Sequence, residues 1–241
     1  MPSSVGVPRP TQNRLLHVLP PDELSQVLAI SERVPLFPHQ ILHDCRVPME
    51  HVYFVESGLV SVAAKVGDDR FVEVWLVGSE GLAGAPVVLG AGTEPLHRRT
   101  VQVAGQALRT KTREFRQAME DLPGFRRALY GYLNVVLSQT SQSGACNSTH
   151  SLKHRLARWL LVARFCLDND DIPLTHSVLA QLLGVRRASV TECLEQFENM
   201  GLVNTRRGKI TVCRLDDLKK TSCDCFHMID REYARQLAQS P

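Results

Sequence analysis

The chain has 241 residues, a length that allows one large domain or two of ordinary size. A hydrophobic fraction of 44% and a charged fraction of 22% are typical of globular proteins and exclude the disordered, collagen-like and disulfide-scaffold classes. No apolar run reaches the roughly 18 to 20 residues that cross a bilayer, and the first residues lack the apolar core of a signal peptide. We therefore expect a cytoplasmic protein without a membrane partner.

The net charge is distributed unevenly along the chain. Residues 1–150 hold 14 basic and 14 acidic residues, so the whole excess of +3 lies beyond them. Residues 175–214 alone contain six basic and three acidic residues. Such a run is either a solvated face or a surface for an anionic partner such as nucleic acid.

The first part of the chain predicts short helices followed by a sheet. Residues 13–31 have leucines and valines at helical spacing, with Pro21 at a helix start. Between residues 34 and 110, short β-rich runs alternate with turn signals. The strongest of these signals are Glu56-Ser57-Gly58, Gly67-Asp68-Asp69 and the glycine-rich segment 78–92. This pattern favours an antiparallel sandwich or barrel over a doubly wound parallel sheet.

One β-rich run, GLVSVAAKV at residues 58–66, shows the alternation of a strand with one apolar face. The predicted apolar face contains Val60, Val62, Ala64 and Val66, and the opposite face is mixed.

Helical spacing returns after the sheet. Thr112 is a predicted N-cap of a helix that stops before the Asp121-Leu122-Pro123-Gly124 segment, and a longer helix is predicted from Phe125 to about Ala145. Its apolar stripe is formed by Phe125, Leu129, Tyr132, Leu133 and Val136. The stripe either packs against a second copy of the chain or covers the barrel of its own chain.

A third helix is predicted from about Leu152 to Cys166, with Arg155 and Arg158 on its exposed side. It ends at the Asp168-Asn169-Asp170-Asp171 segment.

Residues 174–213 carry the pattern of a helix-turn-helix unit. Thr175 caps a short helix that Gly184 ends, and a second helix begins near Arg186. The predicted inward residues of this second helix are Val190, Leu194, Phe197 and Met200. Its first turn combines arginines with small residues, which permits close approach to a DNA groove.

Each polar residue of this unit has a predicted role. Arg187 is the candidate base contact, because a guanidinium group can donate to both acceptors of a guanine edge. Arg186, Ser189 and Thr191 are predicted to contact phosphate near the helix N-terminus, and Ala188 is predicted to lie against the duplex because its small side chain permits close approach. Thr175, at the start of the first helix, is also a predicted DNA-binding residue.

A basic hairpin follows the second helix. Two short strand runs flank a turn that carries Arg206, Arg207 and Lys209 around Gly208. This arrangement is typical of the wing of a winged helix, and it predicts further phosphate contacts. Double-stranded DNA is therefore the expected partner.

The order of these elements from about Leu15 to Arg235 resembles the Crp-Fnr superfamily of bacterial transcription regulators. The most specific stretches are LTHSVLAQLLGVRRASVTECLEQFENMGLV and RGKITV. The resemblance implies an α+β protein with an N-terminal, cyclic-nucleotide-binding-like antiparallel β-roll, a long dimerisation helix and a C-terminal winged helix-turn-helix. It also implies a homodimer on two-fold-symmetric DNA, an effector site in the roll and contact with RNA polymerase.

At the recognition helix, the resemblance places Arg187 where family members carry a guanine-reading arginine. The next family position is often glutamate and is Ala188 here, and a later arginine is replaced by Glu192. The preferred DNA sequence is therefore expected to differ.

The effector site departs further from the family pattern. Arg99-Thr100 matches the family pair that holds a cyclic phosphate. The family's ribose-binding carboxylate follows a glycine, but here Ala85 follows Gly84, and the nearby Glu80 is displaced from that position in the sequence. We expect Arg99 either to hold an anion without the ribose contact or to be a surface strand residue. Cyclic AMP is not the expected effector, and no cofactor is predicted.

The cysteine pattern leaves two alternatives. Seven cysteines without framework spacing fit reduced thiols. The segment Cys223-Asp224-Cys225-Phe226-His227 contains metal-ligand residue types, but no second ligand pair is obvious, so packing is favoured and no metal is predicted. The iron-sulfur cluster of the oxygen-sensing branch would need cysteines before Cys45, and the histidines of the roll show no haem-ligand spacing.

Catalytic motifs are missing from the sequence, which has no phosphate-binding glycine loop, nucleophile elbow or His-Glu-x-x-His pair. The prediction is a non-enzymatic, sequence-specific transcription regulator whose signal is sensed in the roll. Its predicted domains are a sensor at residues 13–121, a dimerisation helix at 122–147 and a winged helix at 148–241. The alternative is a small-molecule or redox sensing module that does not bind DNA.

Overall fold

The computed structural model describes residues 10–67, 70–90 and 94–238, with side-chain burial up to residue 236. A short 3-10 helix, Leu16–Val18, and helix α1, Pro21–Ala29, precede the sheet, as predicted. Pro21 occupies the first turn of α1, where its missing N–H costs no hydrogen bond. Asp68, Asp69 and residues 91–93 of the predicted turns lie outside the described residues.

The N-terminal sheet is antiparallel throughout, which confirms the predicted roll. Its strands are β1 (Ser31–Leu36), β2 (Ile41–His43), β3 (His51–Lys65), β4 (Phe71–Val77), β5 (Leu82–Ala83) and β6 (His97–Lys111). The strand order is β1-β6-β3-β4, while β2 also pairs with β6 and β5 with β3. All of these pairs are antiparallel.

The predicted turn at Glu56-Ser57-Gly58 is wrong, because these residues lie within strand β3, which continues to Lys65. The register against β6 shifts between Val55 and Ser57 and again before Leu59, which is the mark of a bulge. Gly58 has a φ of +88°, a conformation that glycine adopts without steric cost. Turn-forming residues therefore bend one long strand here instead of ending it.

The predicted apolar alternation in β3 is partly confirmed. Val60 and Val62 are buried in the roll, whereas Val66 is half exposed beyond the strand end. Leu59 on the opposite face is also fully buried, since it joins a second core formed mainly by the C-terminal helices. Strand β3 is thus covered on both faces.

Three helices follow the roll strands or connect them: α2 (Ala85–Val88), α3 (Thr112–Asp121) and α4 (Pro123–Thr149). The predicted cap by Thr112 is wrong. Thr112 is the first residue of α3, and its hydroxyl donates to the carbonyl of Met49 at 2.5 Å. Helix α4 is longer than predicted at both ends and extends beyond the predicted dimerisation segment, whose domain boundaries remain predictions.

The apolar stripe of α4 does not face a second copy of the chain. Phe125, Leu129, Tyr132, Leu133 and Val136 are all buried in the core of their own roll. The alternative that this stripe packs against a second copy is therefore wrong, and the alternative that it covers the barrel of its own chain is correct. Helix α4 instead exposes a different face, described below.

The C-terminal part contains α5 (Leu152–Leu167), β7 (Asp171–Ile172), α6 (His176–Leu183), α7 (Arg187–Asn199), β8 (Val203–Arg206), β9 (Lys209–Val212), α8 (Leu215–Thr221) and α9 (Asp224–Ala238). Its small sheet has the order β7-β9-β8. Helix α5 ends as predicted, with Asp168 in the left-handed conformation at a φ of +51°. Arg158 is not on the exposed side as predicted, because it is buried and donates to the Ser143 hydroxyl at 3.1 Å.

The roll and the C-terminal part share an extensive contact. Leu59 and Leu76 of the roll belong to the apolar core that surrounds α5, α6 and α7. The Arg14 guanidinium donates to the Phe165 carbonyl at 2.6 Å, and Arg70 donates to the Gly184 carbonyl at 3.2 Å. The helix-turn-helix corner therefore touches the sensor directly. Among the described residues, no helix is long and apolar enough to span a membrane.

Candidate nucleic-acid interface and ligand cavity

The corner between α6 and α7 is built as predicted. The Thr175 hydroxyl accepts the N–H of Val178 at 3.3 Å and caps α6. Gly184 ends α6 at a φ of +68°, and Val190, Leu194 and Phe197 of α7 are fully buried. Met200 is exposed rather than inward, because α7 ends at Asn199 and Met200 follows it.

The first turn of α7 faces solvent. Arg186 is the N-cap residue, and Arg186, Arg187 and Ala188 are exposed, while Ser189 is half-buried. A helix N-terminus carries unsatisfied N–H groups and partial positive charge. Two arginines at this end therefore create a site that favours phosphate.

The predicted wing is also present. Strands β8 and β9 pair antiparallel around Arg207 and Gly208, and Gly208 has a φ of +75°. One carboxylate oxygen of Glu198 accepts both the N–H and the hydroxyl of Thr205, at 2.6 and 2.7 Å. This pair of bonds ties the wing to the C-terminal end of α7.

A groove separates the wing from the starts of α6 and α7. Its lining brings together four predicted DNA contacts, Thr175, Arg187, Arg206 and Arg207, with residues that sequence reasoning missed: His176, Ser177 and Thr205. In the described part of the chain, no ion pair or side-chain hydrogen bond involves Arg186, Arg187, Arg206 or Arg207. Their positive charges are available to an external anion.

Two predicted contacts have partners within the protein. The Lys209 ammonium lies 2.7 Å from the Asp171 carboxylate, on the side where β9 pairs with β7. The Thr191 hydroxyl lies 3.0 Å from Nδ1 of His176, so it joins α7 to α6. The sequence signal that could have identified His176 as part of this surface is its position directly after the cap residue Thr175. There it is the first residue of α6, and its ring contacts Thr191 of α7.

Arg99 is buried in the roll, so the alternative of a surface strand residue is wrong. Its side chain is only 1% exposed, and burial lowers its pKa to about 10. One guanidinium nitrogen donates to the His97 carbonyl at 2.7 Å, while Nε has no hydrogen-bond partner. A buried cation without a carboxylate partner is costly, and an anionic ligand would offset that cost.

Arg99 lines a cavity of about 400 Å³ between the sheet, α2 and α4. Apolar surface dominates the lining through Val74, Trp75, Pro86, Leu89, Leu133 and Val136. Thr140, Ser143 and Asn147 of α4 and Glu73 of β4 add polar residues to the lining. The cavity has the composition of a small-molecule site, which is mostly apolar with a few placed polar groups.

The other predicted effector residues have different positions. Ala85 lines the cavity beside Arg99, whereas Gly84 is the N-cap of α2 and neither Gly84 nor Thr100 is part of the lining. Glu80 is fully buried, accepts the N–H of Gly78 and lies 3.7 Å from the Arg14 guanidinium. Burial raises the pKa of Glu80, and its carboxylate is not in the cavity.

A second cluster was missed by sequence reasoning. Cys146 and His150 at the end of α4 meet Cys223 and Cys225 at the start of α9, with their ligand atoms within 4.8 Å of one another. The predicted lack of a second ligand pair is therefore wrong, and His227 of the sequence motif is not a member. The i, i+4 spacing of Cys146 and His150 is the signal that could have found this pair.

Comparison with known proteins agrees with this geometry. Residues 154–221 match the family described as the Crp-like helix-turn-helix domain. The global nitrogen regulator of Synechocystis sp. is 22% identical over 175 residues, which are 68% of this chain and 77% of that protein. The structure of FixK2 from Bradyrhizobium japonicum has a TM-score of 0.69 at 15% identity, covering 80% of this chain and 98% of its own. CLP, a c-di-GMP responsive global regulator of Xanthomonas campestris, has a TM-score of 0.65 at 18% identity, covering 79% and 98%.

The fold and the helix-turn-helix unit together define a DNA-binding transcription regulator. More particularly, residues 154–221 match the Crp-like helix-turn-helix domain, and the chain has the fold of the Crp/Fnr proteins. This confirms the resemblance seen in the sequence. The alternative of a sensing module without DNA binding has no support.

Proposed function

We propose that the N-terminal turn of α7 enters the major groove of duplex DNA and that the wing contacts the flanking phosphates. The observation that carries this proposal is the groove in which Thr175, Arg187, Arg206 and Arg207 line one exposed surface. Arg187 reads a guanine edge, and Arg206 and Arg207 bind phosphate. Arg186 adds charge beside the helix N-terminus.

The smaller residues of α7 set how closely the duplex approaches. Ala188 is exposed and has no side-chain polar group, and Ser189 follows it at a half-buried position. Small side chains at the start of a recognition helix allow the backbone to approach the bases and the phosphates. Thr191 and Lys209 contribute less than predicted from the sequence, because His176 and Asp171 already occupy their polar groups.

We also propose that the protein is a homodimer, and we assign its seam to the exposed face of α4. The exposed residues of this face recur at alternating spacings of three and four. They are Arg127, Tyr130, Asn134, Leu137, Ser141, Gly144 and Ser148. Such spacing is that of a coiled-coil seam, and a helix of 27 residues is about 40 Å long. Leu137, at 62% exposed, is the central apolar residue of this face.

The effector is a small anionic molecule with an apolar or aromatic body. Its anionic group pairs with Arg99, and its body packs against Trp75, Leu133 and Val136. Leu137 and Gly144 line the cavity and also belong to the exposed face of α4, so a bound effector would contact the dimer seam. Binding then shifts the population of dimers whose recognition helices match the DNA spacing.

The remaining predictions belong to the same proposal. A regulator that acts on transcription contacts RNA polymerase, acts in the cytoplasm where DNA is found, and needs no enzymatic activity of its own. These three properties are part of the proposal, and the helix-turn-helix match supports them only through the class of protein that carries such a domain.

Binding to duplex DNA across a salt series tests the proposed interface. Fluorescence anisotropy with a labelled duplex should show affinity falling steeply with salt, since phosphate neutralisation releases counterions. The same slope in Arg206→Ala/Arg207→Ala as in the wild type would show that the wing does not contact phosphate. Lys111→Ala/Arg113→Ala, which also removes two positive charges from exposed positions but at the start of α3, is the matched control.

A further inference from the structure

The cluster of Cys146, His150, Cys223 and Cys225 joins two distant parts of the chain. Cys146 lies in the last turn of α4 and His150 is the C-cap residue that follows this helix, while Cys223 and Cys225 lie either side of the first residue of α9. All four ligand atoms lie within 4.8 Å of one another. Cysteine sulfur and histidine nitrogen are the ligand atoms that zinc prefers.

The distances match a single tetrahedral ion. Zinc–sulfur bonds of about 2.3 Å place neighbouring sulfur ligands about 3.8 Å apart. The sulfur atoms of Cys146 and Cys223 are 3.5 Å apart, and the Cys225 sulfur is 3.7 Å from Nδ1 of His150. A multinuclear cluster would place several atoms between its ligands and would hold them further apart.

Burial and polarity distinguish this cluster from ordinary packing. Cys146, Cys223 and Cys225 are all buried, yet they form a cluster of their own that is separate from both apolar cores. The cluster also has polar neighbours, because the Gln142 amide donates to the Cys225 sulfur at 3.1 Å. Hydrogen bonds of this kind support metal-bound thiolates from outside the ligand set.

We propose that these four residues form a Cys₃His site for one zinc ion. The three thiols release their protons when the ion binds, and the imidazole binds as the neutral ring. The site lies where α4 ends and includes His150, the first residue of the connection to α5. Since α8 packs on α5 and α9 on α4, the ion fixes the end of the long helix to the DNA-binding domain.

Metal analysis of the full-length protein tests this proposal. The protein is purified with a thiol reductant and without chelators, and its zinc content is measured by mass spectrometry. The expected result is one zinc per chain. Replacement of zinc by Co²⁺ should give visible absorption bands of a tetrahedral site and charge-transfer bands from thiolate sulfur.

Matched variants assign the ligands. Cys225→Ser and His150→Ala should each lower the zinc content well below one per chain, while Cys213→Ser and His227→Ala should retain it. Cys213 is an exposed cysteine and His227 is the histidine of the sequence motif that lies outside the cluster. His150→Cys should still bind Co²⁺, with stronger thiolate charge-transfer absorption, which a variant that merely unfolds would not show.

Two outcomes would overturn the proposal. Wild-type protein that is folded by circular dichroism but holds no zinc or cobalt after incubation with either ion has no metal site here. In such a metal-free protein, a disulfide between Cys146 and Cys223 that forms under mild peroxide would identify a redox pair in place of the metal site.

The second contradicting outcome is an unchanged zinc content in Cys225→Ser, which would show that the zinc is bound adventitiously elsewhere. None of these results depends on DNA binding, so they are independent of the proposed interface.

Discussion

Trp159 of α5 donates its indole N–H to both carboxylate oxygens of Glu73 on β4, at 3.0 and 2.9 Å. The two residues are 86 positions apart, and the bond joins the C-terminal domain to the sensor sheet beside the ligand cavity. Burial raises the pKa of Glu73 to about 7, although the Trp159 hydrogen bond opposes this shift. The contact between the two domains thus contains a carboxyl group that changes its charge near neutral pH.

Glu73 makes the stability of the protein depend on pH. Its carboxyl has an ordinary pKa of 4.5 in the unfolded chain and one of about 7 in the folded protein. Between these values the folded state holds a proton that the unfolded state has lost, so the free energy of unfolding falls as pH rises, by at most about 1.4 kcal/mol per pH unit. Above about pH 7 this loss is complete.

Urea unfolding at a series of pH values from 5 to 8 measures this effect. Glu73→Gln keeps an oxygen that accepts from Trp159 and cannot ionise, so its stability should fall less than that of the wild type over this range. Identical pH profiles for the two proteins would contradict the assignment.

Arg99 should be a destabilising residue when no ligand is bound. Replacing the buried guanidinium by a methionine side chain removes an uncompensated charge, so Arg99→Met should raise the free energy of unfolding by about 1 to 4 kcal/mol. Arg98→Met is the matched control, because Arg98 is partly exposed and paired with Asp44 at 2.8 Å. Its change should stay within about 1 kcal/mol.

Thermal-shift screening against small carboxylates, nucleotides and other phosphate-containing metabolites completes the test of Arg99. Compounds that stabilise the wild type should have little effect on Arg99→Met. A compound that shifts both proteins equally binds without Arg99, and loss of stability in Arg99→Met would show that its charge is compensated within the protein.

Strand and helix types could largely be predicted from the sequence, because their signals are local. The capped corner from Thr175 to Gly184 and the hairpin around Gly208 depend on side-chain caps and glycine conformations that the residues themselves determine. The turn predicted at Gly58 failed because a glycine that permits a turn also permits a bulge in a long strand.

Long-range packing could not be predicted in the same way. The apolar stripe of α4 has the spacing of a buried helix face, but spacing does not say whether the same chain or a second copy covers it. Cys146 and Cys223 are 77 residues apart, and only the packing of α9 on α4 brings them together. The burial of Arg99 was likewise invisible, since it depends on the position of α4 over the sheet.

Leu137 should control the oligomeric state. Leu137→Glu would place two like charges at the proposed seam while leaving each chain's own core unchanged, since the side chain is 62% exposed. Light scattering should give twice the chain mass of 26.9 kDa for the wild type and a mass near that of one chain for the variant at micromolar concentration.

Leu96→Glu is the control for the same substitution elsewhere, because Leu96 is 69% exposed and directly precedes β6 instead of belonging to the exposed face of α4. It should remain dimeric. A wild type that is monomeric, or a dimeric Leu137→Glu, would mean that the exposed face of α4 is not the seam.

Arg207 should contribute affinity without specificity. It lies at the tip of the wing and pairs with no acidic residue of the described chain. Arg207→Ala should weaken binding to different duplexes by a similar factor and lower the slope of log affinity against log salt by about 1 per DNA-bound protomer. Lys209→Ala should change the slope less, since Asp171 holds the ammonium. A loss confined to one DNA sequence would instead place Arg207 at a base.

Selection from a randomised duplex pool, followed by sequencing, tests the role of α7 most directly. The wild type should enrich a two-fold-symmetric site whose half-sites are about 10 base pairs apart. Arg187→Ala should enrich a site that has lost its preference at one base pair per half-site, corresponding to about 1 to 3 kcal/mol of discrimination. Enrichment of the same site with the same preferences by Arg187→Ala would contradict the claim that this helix reads the DNA through Arg187.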